Sequence, residues 1–215
     1  MESETITVYL ADDHAMVREG LAALVADDEH IKVIGQSGDG LTALNEVMEL
    51  RPDVAVIDIS MPGLNGLDTC REFTRKLKGT AVLILTMHDD AQFVATALEN
   101  GAAGYLMKEA AAEEFAEAIR TVARGGVYLS PGIPRSALDN IGRSTDDPYK
   151  KLTTRERQVL QLVAEGKTNR VIAEELNLAV KTIDTHRMRL MRKLNIHDQT
   201  SLVKYALRKG VVRLN

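Results

Sequence analysis

Val54-Ala-Val-Ile-Asp58-Ile-Ser-Met-Pro62-Gly-Leu-Asn-Gly66 constrains this chain more than any other stretch. Four apolar residues in a row end on a carboxylate, and Pro62 and Gly63 follow soon after. A short continuous apolar run is the pattern of a strand covered on both faces, as in a parallel sheet. The Pro and Gly mark a loop at its C-terminal end. Asp58 is thereby expected at the carboxyl edge of a central strand, where open α/β sheets carry their chemistry.

The flanking sequence repeats the theme. Thr5–Ala11, Ile31–Gly35, Val54–Ile59, Ala81–Thr86 and Gly104–Lys108 read as strands. Helical patterns follow each of them: to about Ala26 (Val17, Leu21, Leu24 and Val25 inward), after Gly40 (Leu41, Leu44, Val47 and Met48), Asn65–Lys78, Asp90–Asn100 and Ala112–Arg124. Five strands alternating with five helices predict a parallel sheet covered on both faces. Right-handed crossovers bring the ends of strands one, three, four and five to one edge. From Gly126 the periodicity is lost among Pro131, Gly132, Pro134, Gly142 and Pro148, the mark of a linker, with a short helix possible at 135–141. From Leu152 the pattern is helical: Thr154–Ala164, Asn169–Leu176, Val180–Leu194 and Thr200–Lys209.

Charge divides the chain at the same place. Residues 148–215 carry 15 Lys and Arg against 6 Asp and Glu, a net +9, and the remainder is −13. A basic C-terminal part on an acidic N-terminal one suggests that only the former meets a polyanion. No run of about 18 apolar residues is present, so no membrane span is expected. Met1-Glu-Ser-Glu lacks the basic-then-apolar pattern of a signal peptide, and the single Cys70 suits a reducing cytoplasm, where it reads as a small buried hydrophobe.

Asp12, Asp13 and Asp58 all fall at strand ends. Three carboxylates at one edge repel one another unless a cation lies among them. An all-oxygen set suits Mg²⁺, which keeps waters and shares a phosphate. Thr86 and Lys108 end two further strands, a hydroxyl and an ammonium able to grip phosphoryl oxygens around an Asp58 nucleophile. A lone Asp after a strand is most often a helix N-cap. Five chemically matched residues at four strand ends are a stronger pattern.

With these residues, positions 5–125 resemble the receiver domain of two-component response regulators: Asp12-Asp13, Asp58 in Ile-Asp-Ile-Ser-Met-Pro-Gly-Leu-Asn-Gly, Thr86, and Gly-Tyr105-Leu-Met-Lys108. The resemblance implies a five-stranded doubly wound sheet of order 2-1-3-4-5. It implies that Asp58 accepts phosphate from a sensor histidine kinase, and that Asp12, Asp13, Asp58 and the Ser60 carbonyl hold Mg²⁺. Thr86 and Tyr105 would reorient on phosphorylation. Two details depart from the common pattern: Glu109 stands where many receivers have Pro, and the two positions that in the family flank the path of the hydrolytic water are Ser60 and His88 here.

Residues 168–187 read independently as helix-turn-helix, with Asn169 as a cap and Asn177-Leu178 at the turn. On the following helix Ile183, Arg187, Leu190 and Leu194 share the inner face. Lys181, Thr185, Met188 and Arg192 share the opposite face, flanked by Thr182 and Arg189, a polar basic stripe suited to a major groove. Residues 149–215 resemble the LuxR-type effector domain through Leu152-Thr-Thr-Arg-Glu-Arg157, Val159–Gly166, Asn169, Ile172-Ala173 and Lys181-Thr-Ile-Asp-Thr-His186. Both resemblances together imply a cytoplasmic NarL/FixJ-type regulator that binds two-fold double-stranded DNA as a homodimer. Its domains are 4–125, a linker 126–148, and 149–215, and Leu202, Val203 and Ala206 are the implied dimer contacts. Asp184 departs from a commonly basic position. Two other readings stay open here. One is a DNA-binding protein with a purely structural receiver. The other is a Mg²⁺-dependent phosphohydrolase using Asp58, against which Ser60 stands where a second acid is needed. Gly38-Asp-Gly40 lacks dinucleotide-binding spacing.

Overall fold

The computed structural model describes residues 5–87, 90–110, 112–133 and 147–212. They fall into two compact units, one containing all the strands and one containing the helices after Pro148. The short helix expected at 135–141 lies outside the described residues.

In the first unit β1 (Ile6–Ala11), β2 (Ile31–Ser37), β3 (Val54–Asp58), β4 (Ala81–Thr86) and β5 (Gly104–Met107) alternate with α1 (Ala15–Leu24), α2 (Gly40–Leu50), α3 (Gly66–Lys76), α4 (Ala91–Glu99) and α5 (Ala112–Ala123). All pairings are parallel. The order is β2-β1-β3-β4-β5-β6, one strand more than the expected five. The addition, β6 (Tyr128–Leu129), lies in the stretch assigned to the linker. A two-residue strand has no period to detect. Its neighbour shows the fit: a Cβ on Gly104 would stand 3.0 Å from the Tyr128 carbonyl and 2.7 Å from Leu83.

Every residue of β3 is buried, which is why its sequence runs apolar rather than alternating. One face of the sheet packs Val8, Leu10, Val54, Val56, Leu83, Leu85 and Leu106 against Phe115, Ala118, Ile119 and Val122 of α5. Cys70 is buried, and burial pushes its thiol up to about 12, so it behaves as the expected hydrophobe. Leu24 is 47% exposed, contrary to its inward placement, because α1 ends there and Val25 turns in.

In the second unit a 3₁₀ turn (Pro148–Lys151) precedes α6 (Thr154–Ala164), α7 (Asn169–Glu175), α8 (Val180–Leu194) and α9 (Gln199–Arg208). A capping box starts α6: the Thr153 hydroxyl accepts from Glu156 N–H, and the Glu156 carboxylate accepts from Thr153 N–H. Thr168, not Asn169, caps α7, and Asn169 is its first helical residue. The turn into α8 holds Asn177 in the left-handed region at φ 51°, which Asn tolerates. Arg157 stacks 4.4 Å over the Tyr149 ring and donates to the carbonyls of Tyr149, Lys150 and Leu152. Lys209 donates to Asp147, which caps the 3₁₀ turn, so this unit begins slightly before the expected position 149.

Gly66 sets how closely α3 approaches β3. Its N–H donates to the Ile59 carbonyl at 2.8 Å, and a Cβ there would stand 2.0 Å from the carbonyl oxygen of Asp58. Backbone cannot yield as a flexible side chain can. Gly66→Ala is therefore expected to destabilise the first unit by about 3 kcal/mol, at the upper end of single substitutions. Amide hydrogen exchange in β3 and α3 of the full chain checks this, and unchanged protection would contradict it.

Candidate functional site

Parallel pairing brings the C-terminal ends of β1, β3, β4 and β5 to one edge. Asp12 and Asp58 are buried there and Asp13 is exposed beside them. Lys108, just past β5, places Nζ 2.6 Å from Asp12 Oδ2 and 3.2 Å from Asp58 Oδ2. Its own N–H donates to the Thr86 carbonyl at 2.8 Å, so the end of β4 fixes the backbone from which the ammonium reaches in. Burial pushes the Asp58 carboxyl above the ordinary carboxylate range. Lys108 opposes that rise and Asp12 adds to it.

The Lys108 ammonium answers two of the three carboxylates, Asp12 and Asp58. Ligand atoms of Asp12, Asp13, His14 and Asp58 all lie within 4.8 Å of one another, so the donor set fits a hard divalent cation. His14 is the member that sequence reasoning missed. Its Nδ1 stands 2.7 Å from Asp13 and 3.4 Å from Asp12, and its adjacency to the acidic pair was the available signal. The Asp12 carboxylate also accepts from His14 N–H, yet α1 has no side-chain cap. Local capping thus does not account for the pair.

Ser60 is half-buried two residues past Asp58. Thr86 and Tyr105 are both fully buried. Tyr105 pairs with Ile84 across β4 and β5, and Ile84 and Thr86 are two residues apart, so Tyr105 and Thr86 share one face of the sheet. Tyr105 does not lie on an edge strand, because its carbonyl accepts from Ser130 N–H just beyond β6. The Ser130 hydroxyl accepts from Met107 N–H and donates to Glu114. His88 lies outside the described residues.

On α8, Ile183, Leu190 and Leu194 are buried as the spacing predicts. Lys181, Met188, Arg189 and Arg192 are exposed, and Thr182 and Thr185 are half-buried. The Thr185 hydroxyl donates to the Lys181 carbonyl at 2.9 Å, so its methyl is the free part of the side chain. A broad trough of about 520 Å³ runs along Asp184, Arg187, Met188, Met191, Arg192 and Asn195. Asp184 accepts from Asn169, and the guanidinium of half-buried Arg187 reaches Asn169 and Gln199.

The expected dimer contacts need correction. Leu202 and Ala206 are 0% exposed because that face of α9 packs against α6. Only Val203, half-buried, retains surface. The resemblance implies an interface on this helix without saying which of its apolar residues the domain keeps for its own core.

Two family descriptions match the chain: "Response regulator receiver domain" over residues 8–120, and "Bacterial regulatory proteins, luxR family" over residues 150–206. The Oxygen regulatory protein NreC of Staphylococcus carnosus is 39% identical over 213 residues, covering 95% of this chain and 98% of that protein. The Transcriptional regulatory protein MctR of Rhizobium johnstonii is 37% identical over 211 residues, covering 98% and 97% respectively. A solved structure of two RcsB dimers bound to two parallel DNAs aligns at a TM-score of 0.59 and 25% identity, over 94% of this chain and 98% of that one.

The platform beneath α8 rests on a titratable pair. Lys193 Nζ donates to Glu156 at 2.6 Å and to the Lys151 carbonyl at 3.1 Å. Burial raises the Glu156 carboxyl, but the hydrogen bonds from Lys193 and the Thr153 N–H outweigh it and leave it below the ordinary range. A carboxyl lowered on folding contributes stability above its unfolded value of about 4.3 and loses it as pH falls through the folded value. Amide protection of α6 and α8 is expected to fall over that acid window, and the Glu156→Gln protein to show a flatter pH profile. Parallel profiles for the two proteins would refute the assignment.

Proposed function

Because the chain belongs to the NarL/FixJ subfamily of two-component response regulators, with a receiver domain and a LuxR-type DNA-binding domain that make it a transcription regulator, we propose that phosphorylation of Asp58 is its switch. One observation carries this reading: a buried carboxylate at the end of β3, flanked by Asp12 and Asp13 and reached by the Lys108 ammonium. Asp12, Asp13, Asp58 and the Ser60 carbonyl would hold Mg²⁺, which when bound supplies charge neutralisation for the phosphoryl oxygens. An Asp58 carboxylate oxygen attacks the phosphorus of a phosphohistidine on a sensor histidine kinase. The P–O bond forms, the P–N bond breaks, and the imidazole takes up a proton. Lys108 shifts from its two carboxylates toward the incoming anion. The chain is a regulator and not a phosphohydrolase, and its only expected turnover is slow loss of its own phosphate.

Thr86 and Tyr105, on one face of the sheet, are the proposed relay from Asp58 to the surface of α4 and α5. The receiver then exchanges between two populations, a shift that needs a differential of a few kcal/mol. We assign the receiver to residues 4–125, with β6 as an appended strand, then the linker to 148, and the effector from 149, with Asp147 joined to it. The RcsB dimers on DNA support a homodimer on a two-fold duplex site. Lys181, Arg189 and Arg192 hold phosphates, and Thr182, Thr185 and Met188 approach base edges. The proposed location is the bacterial cytoplasm. Among the described residues no helix is long and apolar enough to cross a membrane.

Retention of genomic fragments tests the switch. With a small phosphodonor and Mg²⁺, the wild-type protein is expected to gain both a phosphoryl group by mass and DNA affinity. Asp58→Ala, or wild type with a chelator, should gain neither. Equal retention under all conditions would reject phosphate control. On the DNA side, Lys181→Ala and Arg192→Ala should weaken binding to every sequence and flatten the salt dependence by about one unit of slope, whereas Thr185→Ala shifts preference between sequences. Identical salt slopes for all three variants would contradict that division.

A further inference from the structure

Asp184 is the single acidic residue of α8, a helix that also carries Lys181, Arg187, Arg189, Arg192 and Lys193. An acid on a helix meant for a polyanion weakens attraction to phosphate, so its presence asks for a reason. The hydrogen bonds around it supply one. Asn169 Nδ2, on the first residue of α7, donates to Asp184 Oδ1 at 2.6 Å. Asn169 Oδ1 accepts from Arg187 Nη1 at 3.0 Å. Arg187 Nη2 donates to Gln199 Oε1, on the first residue of α9, at 2.8 Å. A carboxylate, an amide, a guanidinium and a second amide thus form one line across three helices.

The amide of Asn169 has a donor end and an acceptor end. Reversed, it would set its NH₂ against the guanidinium and its oxygen against the carboxylate, and both contacts would repel. Asp184 therefore selects the orientation in which Asn169 offers oxygen to Arg187. Arg187 in turn joins the starts of α7 and α9 to the middle of α8, beside exposed Met188 and Arg192.

We propose that Asp184 is a positioning residue for DNA binding, acting through Asn169 and Arg187 to fix the angle at which α8 is presented. The inference rests on the DNA-binding reading above. Asp184 reads no base and only incidentally repels phosphate. It makes the recognition helix rigid with respect to α7 and α9.

Two substitutions separate these roles, because both remove the charge and only one removes the acceptor. Asp184→Asn keeps an oxygen that Asn169 can reach, and Asp184→Ala does not. The full chain, treated with phosphodonor and Mg²⁺, is measured on a duplex selected by the wild-type protein from a random-sequence pool. Asp184→Ala is expected to bind roughly fivefold more weakly than Asp184→Asn, the worth of about one hydrogen bond. In an Asn169→Ala background that gap is expected to close. The Nε–Hε NMR signal of Arg187 should move in Asp184→Ala and stay in Asp184→Asn, a readout that a general loss of stability would not reproduce. Equal binding by the two Asp184 variants overturns the proposal. So does a gap that persists without Asn169, which would mean that Asp184 acts on DNA directly. If the wild-type protein selects no duplex at all, the DNA-binding reading falls first and takes this proposal with it.

Discussion

Negative charge crowded at one edge of a parallel sheet is what the first unit must accommodate. Parallel pairing obliges the ends of β1 and β3 to lie side by side, so Asp12 and Asp58 cannot avoid each other. Lys108 answers part of that charge, and it can do so only because β5 ends next to β4 and its backbone is tied to Thr86. The arrangement remains short of positive charge, and burial keeps the Asp58 carboxyl above its ordinary range. A site of this kind is stabilised by whatever brings positive charge to Asp12 and Asp13. On the proposed reading that is the divalent ion, which also prepares Asp58 for phosphoryl transfer. Packing of α3 through Gly66 and of α5 across the sheet holds the strand ends in register.

The second unit meets the opposite difficulty. It gathers cations and must still present one helix firmly. Buried Ile183, Leu190 and Leu194 seat α8, while Glu156 answers Lys193 and lies inside the capping box that starts α6. Arg157 is used wholly for structure, stacked on Tyr149 and bonded to three carbonyls. Lys181, Arg189 and Arg192 stay exposed on α8 away from its apolar stripe. Sorting charge into internal partners and free surface is what leaves a defined basic face.

Much of this was legible in sequence because it follows from period and from chemistry at strand ends. The apolar run before Asp58 specified a doubly covered strand, and the helix spans of the second unit emerged to within a residue or two. What escaped notice was set by context. Thr168 and Asn169 are both competent caps, and only backbone geometry decides between them. Leu202 and Ala206 are implied as dimer contacts by the resemblance alone, and sequence carries no mark of whether such apolar residues meet their own core or another chain. For His14 adjacency to the acidic pair is the whole signal, with no distinctive spacing, and only the distances bring it into the cluster. The resemblance implies roles for Ser60 and Tyr105 that residue type alone does not.

The two-residue strand β6 has a further consequence for where the first unit can be said to end. Ala103 and Tyr105 give their carbonyls to Tyr128 and Ser130, and Met107 gives its N–H to the Ser130 hydroxyl. Those groups line the otherwise open side of β5. A fragment stopped at Gly125 would bare them as an unprotected sheet margin, the kind of surface that invites pairing between molecules. Residues 126–130 therefore serve as edge protection for the sheet, and a unit cut before Ser130 would lose it.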